Sequence, residues 1–122
     1  VIVYDGKIIA RAHNTREKNQ TFYAHAEFLA MMKAAKKIGS WRLENCDVYV
    51  TMEPCPMCAG AMIQSRVRTV YYGVKDLKSG VADSIINIFE LPFNHHVHVE
   101  SGLLAEESQK LLKDFFKKLR VK

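Results

Sequence analysis

At 122 residues, with 48% hydrophobic and 25% charged side chains, the chain has the size and apolar content of one globular domain with a real core. No apolar run approaches the ~20 residues that span a bilayer. Three cysteines, few and odd in number, argue against a disulfide framework and for a reducing compartment such as the cytoplasm, where thiols are free to bind metal.

The opening "VIVYDGKII" lacks the charged leader and cleavage site of a secretory signal. The formal charge of +5 is unevenly placed: residues 110–122 carry six basic side chains against Asp114 alone, and the rest of the chain is balanced. A basic end of this kind suits a polyanion such as RNA, although a solvated helix end also favours cations.

In chain order, "VIVYDGKIIARAH" predicts a β-hairpin turning at Asp5-Gly6, and 15–22 a polar loop. A helix is predicted over 24–38, with Phe28, Met32, Ala35 and Ile38 on its buried face and Gly39 ending it. Strands follow at 46–51 and 68–74, separated by a helix over 56–65. Pro56 suits that helix's first position because its missing N–H would be unpaired there. A short helix at 84–89, a strand at 96–100 and a last helix at 104–119 complete the chain. The expected fold is a three-layer α/β domain spanning 1–122, its sheet parallel at least where strand–helix–strand crossovers occur.

"TMEPCPMCAG" places Cys55 at a helix start and Cys58 one turn on, so both sulfurs reach one ion and the helix N-terminus favours thiolate. Alone, that pair fits a redox dithiol as well as a metal site. "YAHAEFLAM" adds His25 at the start of another helix. His25, Cys55 and Cys58 form a Cys₂His set for which Zn²⁺ is the expected metal, and three protein ligands leave a tetrahedral position open. Two thiolates and a neutral imidazole cancel the charge of Zn²⁺, which keeps a bound hydroxide anionic. Glu27, two residues after His25, points away from the ligand position on a helix but can reach that open position as a proton carrier. A first-turn acid that merely complements the helix dipole is the simpler alternative. Cys46 is expected to be a small buried residue, and His96 and His98 to be strand residues sharing a face.

The pair "HAE" and "PCPMC" resembles the signature of the zinc-dependent nucleobase deaminases. Within them, "IIARAHN", "AHAEFLAM", "GSWRLENCDVYVTMEPCPMCAGAMIQSRV", "VYYGVKDLKSG", "FNHHV" and "SGLLAEESQKLLKDFFKKLR" are similar to the bacterial tRNA-specific adenosine deaminases almost end to end. The resemblance implies a cytidine-deaminase-like α/β/α fold with a mixed five-stranded sheet flanked by helices. It implies hydrolytic deamination of wobble adenosine to inosine, and a homodimer.

It makes His25, Cys55 and Cys58 the zinc ligands and Glu27 the proton shuttle. Asn14, the amide of a His-Asn step at a strand end, would orient the base, and Ala26 and Cys55 would add backbone contacts. Asn94 would touch the substrate nucleotide, and Asp76 and Lys78 would lie near the RNA backbone. Phe115 and Phe116 would line an anticodon-loop groove with Lys118 and Arg120 near phosphates; core packing is the alternative for Phe115. Glu53 is expected to be structural near the zinc loop.

One departure from the family pattern is expected to matter. An amphipathic helix normally precedes the first strand, and these 122 residues begin inside that strand, which would uncover an apolar sheet face and lower stability or promote association. Two other readings remain: a deaminase of free guanine or cytosine bases or nucleosides, using the same zinc chemistry, and a non-catalytic zinc module that binds nucleic acid.

Overall fold

The computed structural model describes residues 1–102. Strands β1 (Ile2–Tyr4) and β2 (Lys7–Ala10) form the expected hairpin, with Asp5 and Gly6 both at positive φ, 52° and 76°. That conformation suits a two-residue turn whose twist matches the flanking strands, and Asp-Gly is a favoured occupant. Three further strands, β3 (Cys46–Met52), β4 (Thr69–Val74) and β5 (His98–Ser101), complete a sheet of order β2-β1-β3-β4-β5. β1 is antiparallel to β2 and β3, whereas β3–β4 and β4–β5 are parallel, so the sheet is mixed.

Between 15 and 22 the expected loop contains a single helical turn, α1 (Arg16–Asn19). The Asn14 side chain, in the loop beyond β2 rather than at a strand end, accepts the Arg16 N–H at 2.9 Å, and Asn19 donates to the Thr15 hydroxyl at 3.1 Å. These short polar contacts organise a stretch that buries nothing and so carries no apolar pattern.

Helix α2 (Ala26–Ile38) ends at Gly39, φ 81°, as expected, but its buried face is rotated from the predicted one. Glu27, Ala30, Met31 and Ala34 are buried, while Met32 and Ile38 are 52% and 37% exposed. The shift is one residue, or about 100° around the helix axis. Two alanines let α2 approach the sheet closely, and the buried stripe includes a carboxylate that apolar periodicity does not count.

Helix α3 (Pro56–Gln64) crosses between the parallel strands β3 and β4, and it starts on Pro56. Ala59 and Met62 of α3 join Ala30 and Ala34 of α2 over Ile2, Val48, Val70 and Tyr72 of the sheet, all at most 2% exposed. Cys46 belongs to the same core, fully buried as expected. On the opposite face Tyr49 and Tyr71, directly paired across β3 and β4, stack with ring centroids 4.4 Å apart and planes 8° from parallel. Beside them Arg68 holds Asp47 through two hydrogen bonds of 3.0 and 2.8 Å.

The helix expected at 84–89 is instead a series of turns followed by a 3-10 turn, Ile88–Glu90. Here the Ile85 N–H goes to Gly80 and the Ile88 N–H to Val81, so the chain never settles into helical pairing. The strand expected at 96–100 begins two residues later. His96 therefore precedes it and does not share a strand face with His98, which pairs with Glu100 at 2.7 Å. The helix expected at 104–119 lies outside the described residues.

Candidate active site

Two helices begin on the same spot. His25 occupies the N-cap position of α2 and Cys55 that of α3, both with extended backbone, and neither helix is capped by a side chain. Their first turns converge because α2 and α3 lie against the same sheet face. His25 Nδ1 is 3.5 Å from Cys55 Sγ and 3.6 Å from Cys58 Sγ. All three ligand atoms lie within 4.8 Å of one another, and they are the one group among the described residues that could hold a metal ion.

The spacing can be tested against the metal. A tetrahedral zinc bound about 2.3 Å from sulfur and about 2.0–2.1 Å from nitrogen requires each N···S edge to be about 3.5–3.6 Å. Both N···S edges meet that requirement, so the residues fit the ion. Among the described residues no fourth side chain joins them: Cys46 is in the core and Glu27 is not in the group. With Nδ1 committed to a metal, the imidazole N–H resides on Nε2, where the Arg16 guanidinium lies 3.4 Å away. Two donors then face each other, so Arg16 is a neighbour of the ring and not its hydrogen-bonding orienter.

The two thiols have opposite characters. Cys55 is drawn down to about 5 by the Cys58 thiol, by the N–H groups of Cys58 and Met57 at the helix start and by His25, against the opposing effect of burial. Cys58 goes up, because it supplies the shared proton and is fully buried next to Glu27. In metal-free protein at pH 7, iodoacetamide should therefore alkylate Cys55 at least about tenfold faster than Cys58. A divalent metal should protect both, and peptide mapping that finds equal labelling of the two would contradict this asymmetry.

Glu27, in the first turn of α2, is only 9% exposed. Burial pushes its carboxyl above the usual carboxylate range. A group poised in this way can hold a proton and release it within the same site.

Glu53 is the site residue whose importance the sequence conceals. Its side chain is buried at the end of β3, two residues before Cys55. One carboxylate oxygen accepts the N–H groups of Ala82, Asp83 and Ser84 at 2.9, 2.8 and 3.0 Å; the other accepts the Asp76 N–H at 3.1 Å and the Ser84 hydroxyl. Burial alone would raise this carboxyl, but the hydroxyl and N–H donors outweigh it and hold the group below the usual range. An acid placed between a β-strand and Pro54 is the sole sequence signal, and it does not say which segment supplies the donors.

The remaining expected residues do not all gather here: Asn94 lies at the opposite end of the sheet, where its neighbour His95 meets the Val67 carbonyl, ahead of β4, at 2.6 Å. Asp76 and Lys78 lie in the loop after β4 that Glu53 holds, and one Asp76 oxygen accepts the Lys78 and Ser79 N–H groups, both at 3.1 Å. Ala26 is the first residue of α2, adjoining His25. Asn14 and Asn94 are both exposed, in separate loops. Phe115, Phe116, Lys118 and Arg120 lie outside the described residues.

A model of the MafB19-like deaminase family matches residues 1–120. A tRNA-specific adenosine deaminase of Bacillus subtilis is 50% identical over 100% of this chain and 76% of its own length. The chain belongs to the tRNA-specific adenosine deaminase family. Among solved structures, one from work on A-to-I editing by tRNA:A34 deaminases at the wobble position of transfer RNA superposes with a TM-score of 0.86 at 41% identity, covering 90% of this chain and 80% of that one. A guanine deaminase from Bacillus subtilis is more distant, with a TM-score of 0.60 at 30% identity over 77% of this chain and 70% of that one. The five-stranded mixed sheet is thus the deaminase sheet, and the convergence of His25, Cys55 and Cys58 lies within a family fold.

Proposed function

We propose that the chain is a zinc-dependent hydrolase that converts adenosine to inosine at the wobble position of a tRNA anticodon. The observation that carries this reading is the convergence of His25, Cys55 and Cys58 at metal-binding spacing beside the buried acid Glu27, in a chain half identical to a named tRNA-specific adenosine deaminase. Zinc held by His25, Cys55 and Cys58 supplies Lewis-acid activation of water at neutral pH.

The chain's own residues do the rest. Glu27 takes a proton released as water attacks C6 of adenine. It delivers that proton to N1 of the ring, then takes a second from the new C6 hydroxyl and carries it to the amino nitrogen, which departs as the C6 carbonyl forms. Adenosine and water become inosine and ammonia, and Glu27 returns to its starting state. Burial suits it to this exchange, because a carboxyl raised towards neutrality holds and yields protons more readily than an ordinary one.

Asn14 orients the base: its carbonyl oxygen is occupied by Arg16, which fixes the side chain and leaves the amide N–H₂ to donate. Backbone groups of Ala26 and Cys55 flank the base, and Asp76 and Lys78 contact the nucleotide and its backbone, whereas Asn94, at the far end of this sheet, would meet the RNA away from the target base. Phe115, Phe116, Lys118 and Arg120 would extend the RNA surface, with rings for unstacked bases and cations for phosphates. The enzyme would work as a homodimer in the cytoplasm.

Substrate choice decides between this reading and its rivals. Zinc-loaded protein offered an anticodon stem–loop with wobble adenosine should produce inosine, and free guanine and cytosine should be left unchanged. Turnover of the free bases alone would overturn the RNA assignment. Absence of turnover on every substrate, with RNA still bound, would instead indicate the non-catalytic module.

A further inference from the structure

Glu53 takes no part in the chemistry just described, yet five donors converge on its carboxylate. Four are backbone N–H groups from a single segment, 76–84, more than twenty residues downstream. The same junction is stitched twice more: the Glu53 N–H donates to Val74 at 2.8 Å and the Val81 N–H to Pro54 at 3.0 Å. Gly80 packs so closely that a Cβ there would lie 2.4 Å from the Glu53 carboxyl carbon and 2.5 Å from the Asp76 carbonyl oxygen. On the outside Lys75 and Asp83 close the loop with a 2.8 Å ion pair.

We propose that Glu53 is a positioning residue for the RNA substrate: it locks the 76–84 loop, which carries Asp76 and Lys78, in one register against the turn that bears Cys55. This rests on the proposed function, in which Asp76 and Lys78 face the RNA. The geometry explains why a carboxylate is used. A backbone loop tied only to itself can shift as a body, whereas N–H groups from both its ends, Asp76 and residues 82–84, meet on one rigid planar group that is two residues from a metal ligand. No neutral side chain of similar size offers that many acceptor positions. An error of about 1 Å in such placement costs up to about a hundredfold in productive binding and turnover.

The experiment compares wild type, Glu53→Gln, Ser84→Ala and Gly80→Ala, each loaded with cobalt or zinc. Glu53→Gln turns one acceptor oxygen into a donor facing donors, Ser84→Ala removes a single donor, and Gly80→Ala sets a Cβ against both the carboxylate and the Asp76 carbonyl, so that carboxylate and loop can no longer sit together. We expect one metal per chain and an unchanged cobalt absorption spectrum in each. The KM for the anticodon stem–loop should rise about tenfold or more for Glu53→Gln and Gly80→Ala and a few-fold for Ser84→Ala, with kcat changed less.

Lys78→Ala should raise KM in the wild type but add little in the Glu53→Gln background, a non-additivity that general destabilisation would not produce. If Glu53→Gln does not fold, Gly80→Ala and Ser84→Ala carry the same comparison. Unchanged KM in the variants, additive effects with Lys78→Ala, or an altered cobalt spectrum with KM intact would each overturn the proposal. Failure of wild type to form inosine in the stem–loop is a separate result: it removes the functional reading and this inference with it.

Discussion

Glu27→Ala should lower the rate of inosine formation in an anticodon stem–loop by about 10²–10⁴-fold while leaving one zinc per chain. The expectation follows from the placement of Glu27 on the buried stripe of α2, outside the three-ligand group. Because it binds no metal, its loss should empty no coordination position. Because it is the acid next to the ligands, its loss leaves the ring nitrogen and the amino leaving group without their proton source.

Glu27→Gln keeps the shape of the side chain and should be impaired to a similar degree, since an amide cannot cycle a proton. Single-turnover assays would separate the chemical step from RNA release, and RNA binding should stay within a few-fold of wild type. Loss of zinc together with activity would instead make Glu27 part of the metal centre. Retained turnover would transfer the proton role to another group.

The second large effect concerns the metal and the fold together. Removing zinc with a chelator should abolish turnover and lower the thermal midpoint on the order of 10 °C. With free zinc about a hundredfold above its Kd the bound state gains ~2.7 kcal/mol, and each kcal/mol moves Tm by several degrees in a domain of this size. His25→Ala should resemble the chelated protein, and added zinc should no longer raise its midpoint. The candidate ligands lie at the starts of two different helices, His25 on α2 and Cys55 with Cys58 on α3, so a bound ion would join elements that otherwise meet through packing and the weak His25–cysteine contacts. A calorimetric scan in which wild type with and without zinc melts at one temperature would show the centre to be energetically separate from the helix pair.

Much of this centre was legible in the residues because its signals are local. Asp5-Gly6 specifies its turn within two positions, and Pro56 with Cys55 and Cys58 marks a helix start within four. His25 before a helical run completes the three-residue group that could hold a metal. The phase of α2 was not legible. Apolar periodicity selected Phe28 and Met32, whereas the buried face is built on Ala30, Ala34 and the carboxylate of Glu27, which such a count scores as surface. The buried acid thus sets the phase of this helix against its hydrophobic pattern. Residues 82–84 were unreadable for a different reason. Their N–H groups are claimed by Glu53 from across the fold, so local helix preference loses to a long-range partner.

The stacked tyrosines on the far face have a bearing on all of this. Tyr49 and Tyr71 mark the alignment of β3 with β4, and it is from the ends of these two strands that the Cys55 turn and the 76–84 loop depart. A slip of one residue between these strands would turn one ring to the opposite face and move one departure point by about 3.3 Å relative to the other. The aromatic pair therefore works as a gauge block, holding and optically reporting the offset on which the catalytic edge is built. Its coupled near-ultraviolet circular dichroism could be followed through a titration or a melt with no probe attached to the enzyme.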